Sequence, residues 1–290
     1  MKKKLTLLCV LAFSIMAFGQ EKESNRSIIQ EYTPSILLKK GQWDIKWFNN
    51  LYTETRATFG GNESDIARNT FFTSTVDVFT GLSESRSLNV GLLLEFRSNV
   101  IGGRDALDVF SFDGESGSAR SGLTSFAPAI KFNPIKSIGN FTIQSAFHIP
   151  LVDNETEDNV FLDQNGYIFQ NRFFYDYSFS DGDWQLFTEL NSEYSFKEET
   201  SFASNSLRFI PGAFLSYFPS PKFTVLGFVQ HLQLISFETE GFEQDATILG
   251  TGAKYQLSDE LNIELLYSNF VRGNDTGLGQ TFNIGLRALF

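Results

Sequence analysis

Charged side chains recur at every second position of otherwise apolar stretches, and these are the residues with chemistry to offer. Asp44, Lys46, Asn50, Glu54 and Arg56 alternate with Trp43, Ile45, Trp47 and Leu51. Glu95 and Arg97 alternate with Leu92, Leu94 and Phe96, and Arg172 and Asp176 with Phe173, Tyr175 and Tyr177. Gln185, Glu189 and Glu193 share one parity, opposite Trp184, Leu186 and Leu190. In an extended chain successive side chains point to opposite faces, so such charges share one face and the apolar residues the other. The full basic set on that face is Lys46, Arg56, Arg97, Lys131, Arg172, Arg208, Lys254, Arg272 and Arg287. The acidic set is Asp44, Glu54, Asp77, Glu95, Asp176, Glu189, Glu193 and Glu264. Two uses fit. Nearly balanced signs pair with one another for stability, because an unpaired buried charge is costly. Alternatively they line a narrow charged path for solutes, one without the excess of a single sign that normally imposes selectivity.

Other reactive groups are few. His148 and His231 are the only histidines. Nucleophilic catalysis needs a Ser or Cys beside a base that a third group orients, and no local Ser-His motif is visible. Each histidine is therefore expected as a polar lumen or rim residue, and the chain is expected not to be an enzyme. No cofactor or metal site is expected. The acidic runs Asp153-Asn-Glu-Thr-Glu-Asp158 and Glu238-Thr-Glu-Gly-Phe-Glu243 lack EF-hand spacing. They read as solvated loops, with loose cation bridging near lipopolysaccharide phosphates as the sharper alternative. Gly60-Gly61 and Gly102-Gly103 lack the strand-to-helix context of a phosphate-binding loop.

The element that must present these charges is a membrane strand. The chain ends Gln280-Thr-Phe-Asn-Ile-Gly-Leu-Arg-Ala-Leu-Phe290. Phe282, Ile284, Leu286, Ala288 and Phe290 share one face, and Thr281, Asn283, Gly285 and Arg287 the other. A charge facing lipid at mid-bilayer costs about 2–4 kcal/mol, so the charged face must be the lumen. Twelve such segments are expected, near 41–58, 68–81, 87–99, 122–134, 139–150, 165–180, 183–196, 205–218, 222–238, 245–257, 260–272 and 278–290. Connections after even segments are short, as at Ser83–Ser87 and Pro219–Lys222. Those after odd segments are longer and polar, the longest spanning Val100 to Ser121 and then Val152 to Gln164. Short periplasmic turns alternating with long external loops, together with an even strand count, predict an all-β antiparallel outer-membrane barrel. Trp43, Trp184, Tyr217, Tyr255 and Tyr267 toward strand ends suit interfacial aromatic girdles.

Targeting and composition agree. Lys2, Lys3 and Lys4 precede an apolar run from Leu5 to Phe18, and Ala17-Phe18-Gly19 places small residues for cleavage before Gln20. Residues 1–19 are thus expected as a signal peptide, 20–40 as a periplasmic lead-in, and 41–290 as the barrel. Cys9, the single cysteine, lies in the leader, which excludes disulfides and thiolate chemistry from the mature chain. The formal charge of −11 becomes more negative once the leader lysines are gone, which argues against nucleic acid as a partner. The expected partners are outer-membrane lipid and lipopolysaccharide, small solutes, and the barrel-assembly machinery through the strand ending in Phe290.

The stretch Tyr32-Thr-Pro-Ser-Ile-Leu-Leu-Lys-Lys-Gly-Gln-Trp-Asp-Ile-Lys-Trp-Phe-Asn-Asn-Leu-Tyr-Thr53, the cleavage site before Gln20 and the terminal Phe290 resemble the uncharacterised outer-membrane barrels of Bacteroidota-type Gram-negative bacteria, labelled putative transporters. More loosely the chain is similar to barrels linked to uptake of small aromatic compounds. Those resemblances carry no residue roles. Together the readings predict a porin-like passive channel or transporter for small solutes, its polarity set by Lys46, Arg56, Glu95, Arg97, Arg172, Asp176, Glu189 and Arg287. The rivals are a non-conducting anchor or surface-assembly component and, further off, a lipid-modifying enzyme.

Overall fold

A strand with one apolar and one polar face buries neither edge, and in lipid every backbone N–H and C=O must find an internal partner. A closed sheet meets both conditions, and this chain forms one. The computed structural model describes residues 33–180, 182–238 and 241–290. The expected signal peptide and most of the expected lead-in lie outside the described residues.

The strands are β1 (Trp43–Phe59), β2 (Asn62–Gly81), β3 (Leu88–Val100), β4 (Ala119–Phe132), β5 (Phe141–Pro150), β6 (Thr156–Glu157), β7 (Val160–Phe161), β8 (Ile168–Ser178), β9 (Trp184–Ser195), β10 (Ser206–Ser220), β11 (Phe223–Ser236), β12 (Gln244–Gln256), β13 (Leu261–Asn274) and β14 (Gln280–Leu289). Twelve of them close an antiparallel barrel in sequence order, with β5 beside β8; β6 and β7 form a separate small hairpin. Closure joins β14 to β1 in a register from Asp44↔Leu289 to Thr53↔Gln280. The terminal residue takes part: Phe290 N–H donates to the Trp43 carbonyl at 3.0 Å, and Trp43 N–H to the Phe290 carbonyl at 2.6 Å. The chain is therefore an outer-membrane-type β-barrel of twelve strands.

The first connection departs from the expected loop over residues 59–67. β1 and β2 instead run on, 17 and 20 residues long, to a two-residue turn at Gly60-Gly61. Both glycines have positive φ, 56° and 80°, the geometry that two-residue hairpin turns demand and that glycine supplies without steric cost. Beyond the apolar span Asn62, Glu63, Ser64 and Asp65 are all exposed, so the polarity pattern stops alternating although the strand continues.

The two longest connections fold in opposite directions. After β3, Val109 in a 3₁₀ turn (Ala106–Phe110) packs against the outward faces of Phe72 and Val100, and Ser98 Oγ donates to the Val109 carbonyl at 2.6 Å. Phe110 contacts Phe72 edge-on at 4.9 Å and Phe112 contacts Phe96 at 5.7 Å. This loop lies on the outside of the wall, held by Arg104, which bonds Asp108, Asp113 and Glu115. Hydrogen bonds from Arg104 and Ser111 hold the Asp113 carboxyl well below the usual carboxylate range. The connection carrying β6 and β7 instead turns inward as a lid. Asn99 Nδ2 donates to the carbonyls of Phe161 and Leu162, and Gln164 accepts from Ser195 Oγ. The buried Glu155 carboxylate accepts from the N–H groups of Asn165 and Phe202.

Candidate functional site in the barrel lumen

Inward residues of most of the barrel strands line a cavity of about 620 Å³. On the arc of β1, β2 and β4 and the flanking β12 to β14 it is charged. Arg287 and Asp44 pair twice, Nε to Oδ1 at 2.8 Å and Nη2 to Oδ2 at 2.7 Å. Lys254 meets Glu264, its cross-strand partner, at 2.5 Å. Lys46 stands opposite Asp77 in the β1–β2 register, with its Nζ 5.0 Å from the Phe48 ring centre. Arg172 on β8 binds Glu189 on β9 at 2.7 Å. Pairs of this kind satisfy charges that would otherwise be costly in a partly dry interior.

The arc of β8 to β11 carries, besides the Arg172–Glu189 pair, a row of aromatic rings. Phe174, Phe187, Phe214 and Phe228 stand on the consecutive strands β8 to β11, with ring centres 6.0, 5.6 and 5.1 Å apart. All four line the cavity. Gly250, opposite Phe228 in the β11–β12 register, makes room for this row: a Cβ there would lie 2.1 Å from Phe228 Cζ. Inward Phe was not expected, because an apolar residue in a membrane strand reads as lipid-facing. The signal was present in parity, since Phe214 is two residues from Ser216 and Phe228 two from Gln230.

Both ends of the lumen are narrowed. At the short-turn end the lead-in inserts, and Thr33 and Pro34 line the cavity. Thr33 Oγ1 donates to Asp176 Oδ1 at 2.9 Å, Thr142 Oγ1 donates to the Ser35 carbonyl, and Leu38 N–H donates to Asn89 Oδ1. Leu38 is buried with Phe79, Leu93, Ala127, Ala129, Ala146 and Leu289. At the other end Arg97 joins wall to lid, binding Glu95 at 2.6 Å and Asp163 at 3.1 Å. Burial, reinforced by Glu95, pushes the Asp163 carboxyl above its ordinary range against the pull of Arg97. Below the lid lies a smaller cavity of about 110 Å³ that shares Thr75, Asp77 and Arg172 with the main one.

The residues singled out from sequence distribute as follows. Lys46, Arg172, Glu189 and Arg287 line the main cavity, and Glu95 lines the smaller one. Asp176 sits under the lead-in and Arg97 under the lid. Arg56 lies outside the cavity, in the exposed β1–β2 hairpin beside Glu63 and past the register shift that follows Glu54, because the two long strands run on beyond the lumen. Arg272, also expected inward, is exposed and pairs with Asp245. His148 faces the smaller cavity, with Nε2 3.5 Å from Gln170. His231 lies 3.1 Å from Thr247 Oγ1. Among the described residues no group of three or more His, Cys, Asp or Glu converges as a metal site.

No protein-family model matches the chain, and no curated protein matches it. Solved structures do. An outer membrane channel from Pseudomonas putida F1 aligns with a TM-score of 0.68 at 12% identity, covering 89% of this chain and 99% of that one. The beta domain of the Bordetella autotransporter BrkA aligns at 0.54 and 11% identity, covering 84% and 98%. Likeness at this identity concerns the fold alone.

Proposed function

We propose that the chain resides in a bacterial outer membrane and passes small solutes passively through its lumen. The observation that carries this reading is the 620 Å³ cavity, lined by charged pairs and Phe rings. The likeness of the fold to an outer membrane channel supports it. With twelve strands the interior is wider than that of an eight-stranded barrel filled by side chains and narrower than a sixteen-stranded porin. The lead-in and the lid narrow it further, so the conductance is small. Folded mature protein in planar bilayers should give steps well below those of a general porin and weak discrimination by sign. Folded protein that gives no steps would overturn the channel reading and favour a non-conducting anchor.

The reading also sets orientation, with the short-turn end in the periplasm and the lid outside. The mature chain has no cysteine of its own, since Cys9 lies in the leader. A cysteine placed at the exposed Lys197, in the connection after β9, should react with a bulky maleimide on whole cells. One at Lys136, in the β4–β5 turn, should react only after the outer membrane is opened. The reverse pattern would refute the orientation.

A further inference from the structure

The charges of the main cavity do not balance. Asp44, Asp77, Glu189 and Glu264 face Lys46, Lys131, Arg172, Lys254 and Arg287, leaving one cation in excess. Arg287, Lys254 and Arg172 hold their own carboxylates, and Asp77 is the register neighbour of Lys46. Neither Lys46 nor Lys131 has a carboxylate in contact, and Lys131 is left with the longer-range attraction of Asp44 and Asp77, the first of which it shares with Lys46. The Lys131 Nζ lies 4.0 Å from the Phe79 ring centre. A ring face eases a buried cation only in part.

Beside it is an orphan donor. Gln144 is the register partner of Lys131 on one side and of Arg172 on the other. Its side chain is 1% exposed, lines the cavity, and its Nε2 has no hydrogen-bond partner. A buried N–H without an acceptor carries a desolvation penalty that a bound acceptor would remove. An ammonium with no carboxylate in contact and an unused amide on neighbouring strands, with side chains about 5 Å apart at Cβ, make a receptor for one carboxylate group. Phe174, two residues from Arg172, opens the row of rings that continues through Phe187 and Phe214. That surface suits a flat apolar body, and the volume is in the range of small-molecule sites.

We propose that the lumen holds a binding site for a small organic monocarboxylate with an aromatic or apolar body, its carboxylate on Lys131 and Gln144 and its body on the Phe174–Phe187–Phe214 wall. This rests on the reading that solutes enter the lumen. A neutral hydrocarbon would leave the ammonium and amide unmet, and an inorganic anion would gain nothing from the rings.

The test is calorimetric binding to folded protein in lipid nanodiscs, with phenylacetate, acetate and 2-phenylethanol as probes. Phenylacetate should bind at least about tenfold more tightly than either comparator, the scale of one charge-assisted hydrogen bond. Lys131→Met and Gln144→Leu should each weaken phenylacetate by about that factor and leave 2-phenylethanol unchanged, which a misfolded variant would not do. Equal binding of phenylacetate and 2-phenylethanol, no binding of either, or no effect of Lys131→Met would overturn the site. Binding does not need conduction. Bilayer steps without phenylacetate binding would remove the site and leave the channel, whereas binding without steps would do the opposite.

Discussion

Arg287 and Asp44 form a two-pronged ion pair across the seam where β14 meets β1. The two residues stand near opposite ends of the barrel sequence, so the pair can form only when the sheet has closed. A guanidinium matches a carboxylate in fixed fork geometry, which Lys cannot do. The last strand is thus joined to the first by side chains on the inner face as well as by the backbone ladder.

Removing one partner should therefore loosen closure. Arg287→Met leaves the Asp44 carboxylate without its main cation and should cost about 1.5–3 kcal/mol, the range for hydrogen bonds to charged groups. Urea unfolding in vesicles measures it. Arg287→Lys should recover only part of the loss. Arg287→Met with stability unchanged would show that the ladder alone holds the seam.

Gly250 should be intolerant of even a methyl group. A Cβ at that position meets the Phe228 ring at 2.1 Å to Cζ, with Cε1 and Cε2 at 2.4 and 2.6 Å. The ring must then move into the lumen or force the strands apart. Gly250→Ala should cost about 1–3 kcal/mol, as overpacking does, and it should reduce bilayer conductance if Phe228 swings inward. Adding Phe228→Ala should remove the clash, so a double variant no better than Gly250→Ala would contradict the packing account.

The lid should seat more firmly in acid. Closing it takes the Asp163 carboxyl, which titrates near 4 when exposed, into a place that raises its value through burial and the adjacent Glu95, against Arg97. The closed state then binds the proton more tightly than the open one. The resulting stabilisation is complete below the ordinary carboxylate value and is lost as pH rises through the raised one. Hydrogen exchange over residues 151–167 should slow as pH falls through that window, after correction for intrinsic rates. Asp163→Asn should flatten the dependence; a lid that loosens on acidification would reverse the assignment.

Much of the barrel was legible in the chain because its governing pattern is local. A period of two needs only neighbouring residues, and lipid on one face enforces it strongly. The twelve segments, the closing strand at Phe290 and the inward parity of Lys46, Arg172, Glu189 and Arg287 follow from that alone. Where the constraint ended, so did the legibility. Above the apolar span Asn62 to Asp65 continue a strand without alternating, and Arg56 goes with them out of the lumen.

Tertiary structure decided what fills and covers the barrel. Thr33 meets Asp176, and Asn99 meets Phe161 and Leu162, contacts between residues far apart in sequence with no periodic signature. Whether a polar loop lies outside the wall, as Val109 does, or turns inward, as Asp163 does, depends on which distant surface accepts it. The Phe row is the same case. Alternation places Phe174, Phe187, Phe214 and Phe228 on the inner face, but only closure of the sheet turns four separate rings into one wall facing Lys131 and Gln144.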